Sequence, residues 1–318
     1  MILVTGATGF IGRHLCAALS TQGRPIRMSL RKPPATDDVL RTLGDIVVTG
    51  ELDADTDWRA ALQGVDAVVH LASRVHQMNE SNRAVEDKYH RTNVLGTRAL
   101  AAAAREAGVE RFVFISSVKA VGECGDLDAA SVPAPLAPLD AYGRSKLAAE
   151  QALHEVASGS GMAVTVLRLP LVYGPGVGAN FLRLLRIVDR RLPLPLASAN
   201  NRRSLLYAGN LVSAIVQVLS AQPPVKGTFF VSDGESLSTP ELIRAIAVAM
   251  NKDPNLWPCP LPLLRWLSTL AGRRAELSRL TDSLVIDDQP LREALNWTPP
   301  YTLHEGLRET MDWYSRQP

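Results

Sequence analysis

A charge of one sign is the first thing this sequence lacks: 34 Lys+Arg stand against 32 Asp+Glu, for a formal charge of +2. Without a long block of like charge it has no electrostatic basis for binding nucleic acid. Cysteine is scarce too. Cys16, Cys124 and Cys259 have neither paired nor metal-ligand spacing, which excludes a disulfide framework, gives no metal site, and fits buried thiols in the reducing cytoplasm. Long apolar runs are also missing. The most lipid-like stretch, Leu261 to Ala271, contains Arg265 and is too short to span a bilayer, so it reads as a buried or amphipathic helix and no membrane insertion is expected. The first residues, Met1-Ile2-Leu3-Val4, run straight into a glycine loop and do not read as a signal peptide.

What is present is a 46% hydrophobic composition over 318 residues, enough for a sizeable core in one large or two modest domains. The first half alternates short apolar runs with helical patterns. Strands are expected at Ile2–Thr5, Ile26–Leu30, Asp45–Val48, Ala67–Leu71, Phe112–Ser116 and Val164–Leu169, with helices near 11–22, 56–63, 84–107 and 141–157. That order predicts an α/β fold, a doubly wound parallel (Rossmann) sheet whose ligand site lies beyond the carboxyl ends of the strands. After Pro170 a glycine loop and scattered prolines change the rhythm. Residues 1–170 therefore read as a dinucleotide-binding domain and 171–318 as a smaller substrate lobe. A segment near 205–235, with a strand at Thr228–Ser232, is expected to return to the main sheet.

Two patterns carry chemistry. Thr5-Gly6-Ala7-Thr8-Gly9-Phe10-Ile11-Gly12 follows a strand and opens a helix, the context of a dinucleotide fingerprint. Gly6 suits the tight turn, Gly9 the approach of a pyrophosphate and Gly12 close helix packing, with the helix N-terminus toward the anion. Tyr142 and Lys146, four residues apart, share one face of a predicted helix. A phenol near pKa 10 is a poor acid or base at neutral pH, and an adjacent cation would favour its phenolate and bring it into range. At the end of the second strand, Ser29-Leu30-Arg31-Lys32 has no neighbouring carboxylate in sequence. Arg31, helped by Lys32 or Ser29, suits a 2′-phosphate and tilts the cofactor toward NADPH over NAD. Glu51 and Leu52 are expected near adenine, and Leu71, Ala72 and Ser73 near ribose and nicotinamide. His70 reads as a satisfied core histidine.

With the serine of Phe114-Ile115-Ser116-Ser117, Asn93 in Thr92-Asn93-Val94-Leu95-Gly96-Thr97, and Arg168-Leu169-Pro170, the chain resembles the extended short-chain dehydrogenase/reductase (NAD-dependent epimerase/dehydratase) family, nucleotide-sugar subgroup, over nearly its whole length. The resemblance implies that Tyr142 is the acid/base, that Lys146 binds ribose hydroxyls and lowers the tyrosine pKa, and that Ser117 holds a substrate oxygen. Ser117 precedes Tyr142 by 25 residues, the family's usual interval, with Ser116 as the competing assignment. It further implies that Asn93 and Leu169 belong to the cofactor side. Asn180, Phe181 and Arg203 match positions holding a nucleoside diphosphate and its base, and Arg279 matches a later substrate arginine. Arg74 and His76 follow the nicotinamide-side strand and are candidates for sugar contact. Helices near 84–107 and 141–157 correspond to those through which the family dimerises, so a homodimer is expected.

Dehydratases of the family carry an Asp-Glu pair after the catalytic hydroxyl, whereas this chain has Val118-Lys119-Ala120. Local likeness in Ser116–Lys119, Asn180–Leu185 and Asn201–Leu205 is to bacterial 4-reductases that act on UDP-4-keto-6-deoxy-N-acetylhexosamines for O-antigen and lipopolysaccharide synthesis. A UDP-hexose or UDP-N-acetylhexosamine 4-epimerase with retained NAD is the alternative. A non-catalytic dinucleotide-binding regulator, which would keep the glycine loop but usually lose the Tyr/Lys pair, is the third reading.

Overall fold

Runs of Val, Ile and Leu bounded by Gly, Asp and Pro build most of the strands, and near-continuous apolar stretches mark those covered on both faces. A computed structural model describes residues 1–75, 83–122, 125–127 and 138–317. Its strands are β1 (Ile2–Thr5), β2 (Ile26–Leu30), β3 (Asp45–Val48), β4 (Ala67–His70), β5 (Arg111–Ser117), β6 (Gly125–Leu127), β7 (Ala163–Leu169), β8 (Leu171–Tyr173), β9 (Arg203–Tyr207), β10 (Gly227–Phe230), β11 (Ser236–Leu237) and β12 (Leu284–Ile286). Seven form one parallel sheet in the order β10-β7-β5-β4-β1-β2-β3. The expected doubly wound α/β fold is therefore present, and the order reverses between β1 and β4, where such sheets bind their ligands.

Two cores cover the sheet. Leu15, Leu19, Met28, Val69, Leu167 and Ile215 are central on one face, and Leu3, Val68, Leu100, Phe112, Leu153 and Val166 on the other. A third core, around Tyr173, Phe181, Tyr207, Ile246 and Leu307, belongs to the second lobe. There β11, β9, β12 and β6 form a small sheet, with β8 also paired to β9. The chain passes from this lobe to the edge of the main sheet through β10, in register with β7 from Gly227 opposite Thr165.

Two expectations need correction. The helix expected at 84–107 is interrupted: α-helix Arg83–Tyr89 widens into a π-helical turn, His90–Leu95, before α-helix Gly96–Glu106 resumes. An apolar repeat near 3.6 cannot report that extra residue in the turn. The lipid-like stretch forms the helix Leu261–Leu270, but none of its residues is buried, which removes the buried-helix reading.

Candidate active site

The glycine loop is shaped by contacts that exclude side chains. Gly6 has φ +73°, and a Cβ there would lie 2.7 Å from the backbone N of Ala72 at the end of β4. A Cβ on Gly12 would collide with the carbonyl oxygen of Gly6, so the helix Phe10–Thr21 can lie against its own loop only with glycine at this position. Gly9 caps that helix without a side-chain bond, and its first turn carries no acidic residue. Backbone N–H groups at this end suit a pyrophosphate, so these residues fit a dinucleotide. Thr8 and Gly9 are exposed, while Phe10 and Ile11 are half-buried, with Phe10 edge-on to His14.

His70 ties this loop to the sheet. Its Nδ1 lies 2.6 Å from Thr5 Oγ1 and its Nε2 2.9 Å from Thr97 Oγ1. Burial, reinforced by the nearby Lys146 charge, lowers its pKa to about 3, so the ring is a neutral structural bridge.

Two details of the cofactor-selecting turn differ from expectation. Ser29 is buried and its hydroxyl meets Thr49 Oγ1 at 2.7 Å, so it does not assist Arg31. Nor is the turn free of carboxylates, because β3 brings Glu51 to 3.8 Å from Arg31, both side chains being exposed. Lys32 is exposed beside them, and Leu52 is buried against Gly96.

Around Tyr142 the structure assembles residues that lie far apart in sequence. The helix Ala141–Ala157 starts at Asp140, whose carboxylate accepts from Gly143 N at 2.7 Å and pairs with Lys119 Nζ at 2.6 Å. The Tyr142 hydroxyl lies close to Ser117 at the end of β5 and to Ser73 just beyond β4, and both hydroxyls act to lower its pKa. Ser73, expected on the cofactor side, thus lies against the tyrosine. Ser116, the competing serine, is buried and donates to Glu150, further along the same helix, which also pairs with Arg168 at 2.6 Å. Tyr89 packs edge-on to Tyr142 with centroids 6.2 Å apart.

The expected electrostatic effect of Lys146 on Tyr142 is corrected. Burial pushes the phenol above its ordinary value, Asp140 adds to the rise, and the Ser117 and Ser73 bonds only partly oppose it. Lys146 is itself buried, donates to the Ile115 carbonyl at 2.8 Å and lies 4.7 Å from the Phe114 ring centroid. Burial lowers its pKa to about 7, with the Glu150 charge opposing. The pair therefore favours a protonated tyrosine.

Asn93 lies in the π-helical turn, fully buried. Its Oδ1 accepts from Arg74 N at 2.8 Å, and its Nδ2 donates to the Arg74 carbonyl and, at 2.9 Å, to Ser145. It thereby fastens the segment after β4 to the tyrosine helix. Arg74 lies over the Tyr89 ring at 5.8 Å. Leu169 is in the core at the end of β7. His76 and Cys124 lie outside the described residues.

The substrate-lobe candidates are placed unevenly. Asn180 is exposed on the helix Ala179–Asp189. Phe181 is not offered to a base: it is 1% exposed and stacks on Tyr173 at 5.4 Å, because the helix turns this position into the third core. Arg203 is half-buried on β9 and donates to the Asp282 carbonyl at 2.8 Å, and Arg279 is half-buried on the helix Arg274–Thr281. Sequence reasoning missed Tyr89 and Asp140. An Asp directly before a helix-forming run is a legible N-cap signal, whereas Tyr89 had none.

The profile of the NAD dependent epimerase/dehydratase family matches residues 2–231. The chain belongs to that family. Over 317 residues, covering 97% of this chain and 94% of the relative, it is 38% identical to a UDP-glucose 4-epimerase of Vibrio cholerae. It is 29% identical to a ceramide reductase of Caulobacter vibrioides, covering 99% and 94% of the two chains. Its fold is similar to that of MoeE5 solved with UDP-glucuronic acid and NAD, with a TM-score of 0.77 and 27% identity over 99% of each chain. This family member is thus an enzyme of NAD-dependent epimerase and oxidoreductase type, and among the described residues no helix is long and apolar enough to cross a membrane.

Proposed function

We infer that this enzyme reduces the C4 ketone of a UDP-4-keto-6-deoxy-N-acetylhexosamine, a step toward bacterial O-antigen or lipopolysaccharide, with NADPH preferred. The observation that carries the reading is the buried Tyr142 hydroxyl, set beside Ser117 and Ser73 and kept protonated by burial. A nicotinamide dinucleotide, when bound, supplies the hydride that adds to C4. Tyr142 then gives its proton to the C4 oxygen, so that the C=O becomes CH–OH, while Ser117 holds that oxygen. Lys146 Nζ lies 6.0 Å from the Tyr142 ring centroid, where its ammonium, held by ribose hydroxyls, offsets the phenolate charge formed as the proton leaves. Asn180 and Arg203 hold the diphosphate, so that remote binding energy positions the sugar. Two copies associate through the helices Gly96–Glu106 and Ala141–Ala157.

A second reading, 4-epimerisation with retained NAD, is favoured by the 38% identity to the Vibrio cholerae UDP-glucose 4-epimerase and by Glu51 beside Arg31, a carboxylate disfavouring a 2′-phosphate. The two separate in one experiment on the purified enzyme, supplied with UDP-GlcNAc or with its 4-keto-6-deoxy derivative. Loss of NADPH absorbance matching the keto sugar consumed supports reduction. Interconversion of UDP-GlcNAc and UDP-GalNAc without net change in the dinucleotide overturns it in favour of epimerisation.

A further inference from the structure

The helix Leu261–Leu270 carries Leu263, Trp266, Leu267 and Leu270 at i, i+3, i+4 and i+7, the spacing of a single apolar face. In most soluble proteins that face lies in the core. Here the four side chains are 46%, 60%, 47% and 68% exposed, and Trp257 in the segment leading to the helix is exposed as well. The helix rests on the substrate lobe through Leu264, which packs against the third core.

Charge identifies the surface that would cover this face. From Pro254 to Ala275 the chain has three arginines, Arg265, Arg273 and Arg274, and no Asp or Glu. Arg273 and Arg274 are exposed, and Arg265 faces Asp282 at 3.6 Å. Next to the apolar face, a cavity of about 250 Å³ is lined by Arg265, Arg274, Ser268, Ser278 and Asp282, among others. Arg265 and Ser278 already meet the Asp282 carboxylate and Ser268 donates to the Arg265 carbonyl, so Arg274 is the lining group suited to a phosphate, with exposed Arg273 next to it in sequence. A second copy of the chain would bring another Arg273 and Arg274 to the same face, so self-association there is opposed by charge.

We propose that this face docks the protein on an anionic phospholipid surface. The helix lies in the plane of the interface, with Trp266 and the leucines at the acyl boundary and the arginines among headgroup phosphates. Tryptophan suits this depth because its ring is apolar and its N–H is polar. At ten residues the helix can lie on a bilayer but cannot cross it.

The test is flotation of the full chain with vesicles of phosphatidylcholine alone or mixed with phosphatidylglycerol. The expected result is capture by the mixed vesicles and about tenfold weaker capture by neutral ones or at high salt. Trp266→Ser with Leu270→Ser, and separately Arg273→Glu with Arg274→Glu, should each weaken capture by about tenfold or more, with thermal unfolding and dinucleotide binding unchanged. No capture by mixed vesicles, or equal capture of the variants, overturns the proposal. So does a dimer that Trp266→Ser dissolves without any vesicle binding, which assigns the face to a second copy, or retention by an acidic protein alone.

Discussion

Ser117, at the end of β5, lies against Tyr142 in the first turn of the helix Ala141–Ala157, while Ser116, one residue earlier, donates to Glu150 further along the same helix. Tyr142 and Glu150 stand eight residues apart on that helix, about 12 Å of rise, so only one of the two serines can reach the tyrosine.

Ser117→Ala and Ser116→Ala should therefore fail differently. The first should lower kcat by about a hundredfold with little change in stability, as expected for the loss of a donor to a developing oxyanion. The second leaves a buried carboxylate without one of its donors and should cost about 1.5–3 kcal/mol, read as a lower urea midpoint. A large fall in kcat for Ser116→Ala at unchanged stability would reverse the roles.

Tyr142→Phe should bind dinucleotide normally and lose about 10²- to 10⁴-fold in turnover. Intrinsic fluorescence titration checks the first property and steady-state absorbance the second. Near-native turnover would remove Tyr142 from the chemistry.

At the cofactor turn, Arg31→Ala should weaken NADPH by about tenfold and leave NADH nearly unchanged, because only the former carries a 2′-phosphate. Glu51→Gln removes the opposing carboxylate and should tighten NADPH. Calorimetric titration of both dinucleotides tests the pair, and parallel changes for NADH and NADPH would sink the assignment.

His70 predicts a pH effect on stability. Its folded pKa, about 3, lies below the ordinary 6.5, so as pH falls through 6.5 the unfolded chain takes a proton that the folded chain refuses. Stability contributed by the neutral ring should fall between pH 6.5 and 3, by at most about 1.4 kcal/mol per pH unit. His70→Asn should show a flatter slope of urea-unfolding free energy against pH in that window. An unchanged slope would mean that the buried ring is not kept neutral.

Much of the site was legible because its local parts are sequence-contiguous. The glycine loop follows an apolar strand, and the tyrosine helix, expected over 141–157, spans Ala141–Ala157. Where reasoning failed, the deciding partner came from a distant segment. Ser29 was offered, with Lys32, as a helper of Arg31, but the end of β3 brings Thr49 to its hydroxyl. Phe181 was assigned to the substrate, but Tyr173 receives its ring in the core. Lys146 was expected to lower the tyrosine pKa, but burial raises the phenol and lowers the ammonium.

The sequence by itself determined the α/β class, the strand-loop-helix context of Gly6, Gly9 and Gly12, and the four-residue spacing of Tyr142 and Lys146, because turns, periodicity and spacing are properties of neighbouring residues. Only the tertiary structure decided which serine meets the tyrosine, that Glu51 stands beside Arg31, and that the apolar face of Leu261–Leu270 is exposed. Those outcomes depend on strand order and desolvation, which arise when segments far apart in the chain come together and exclude water.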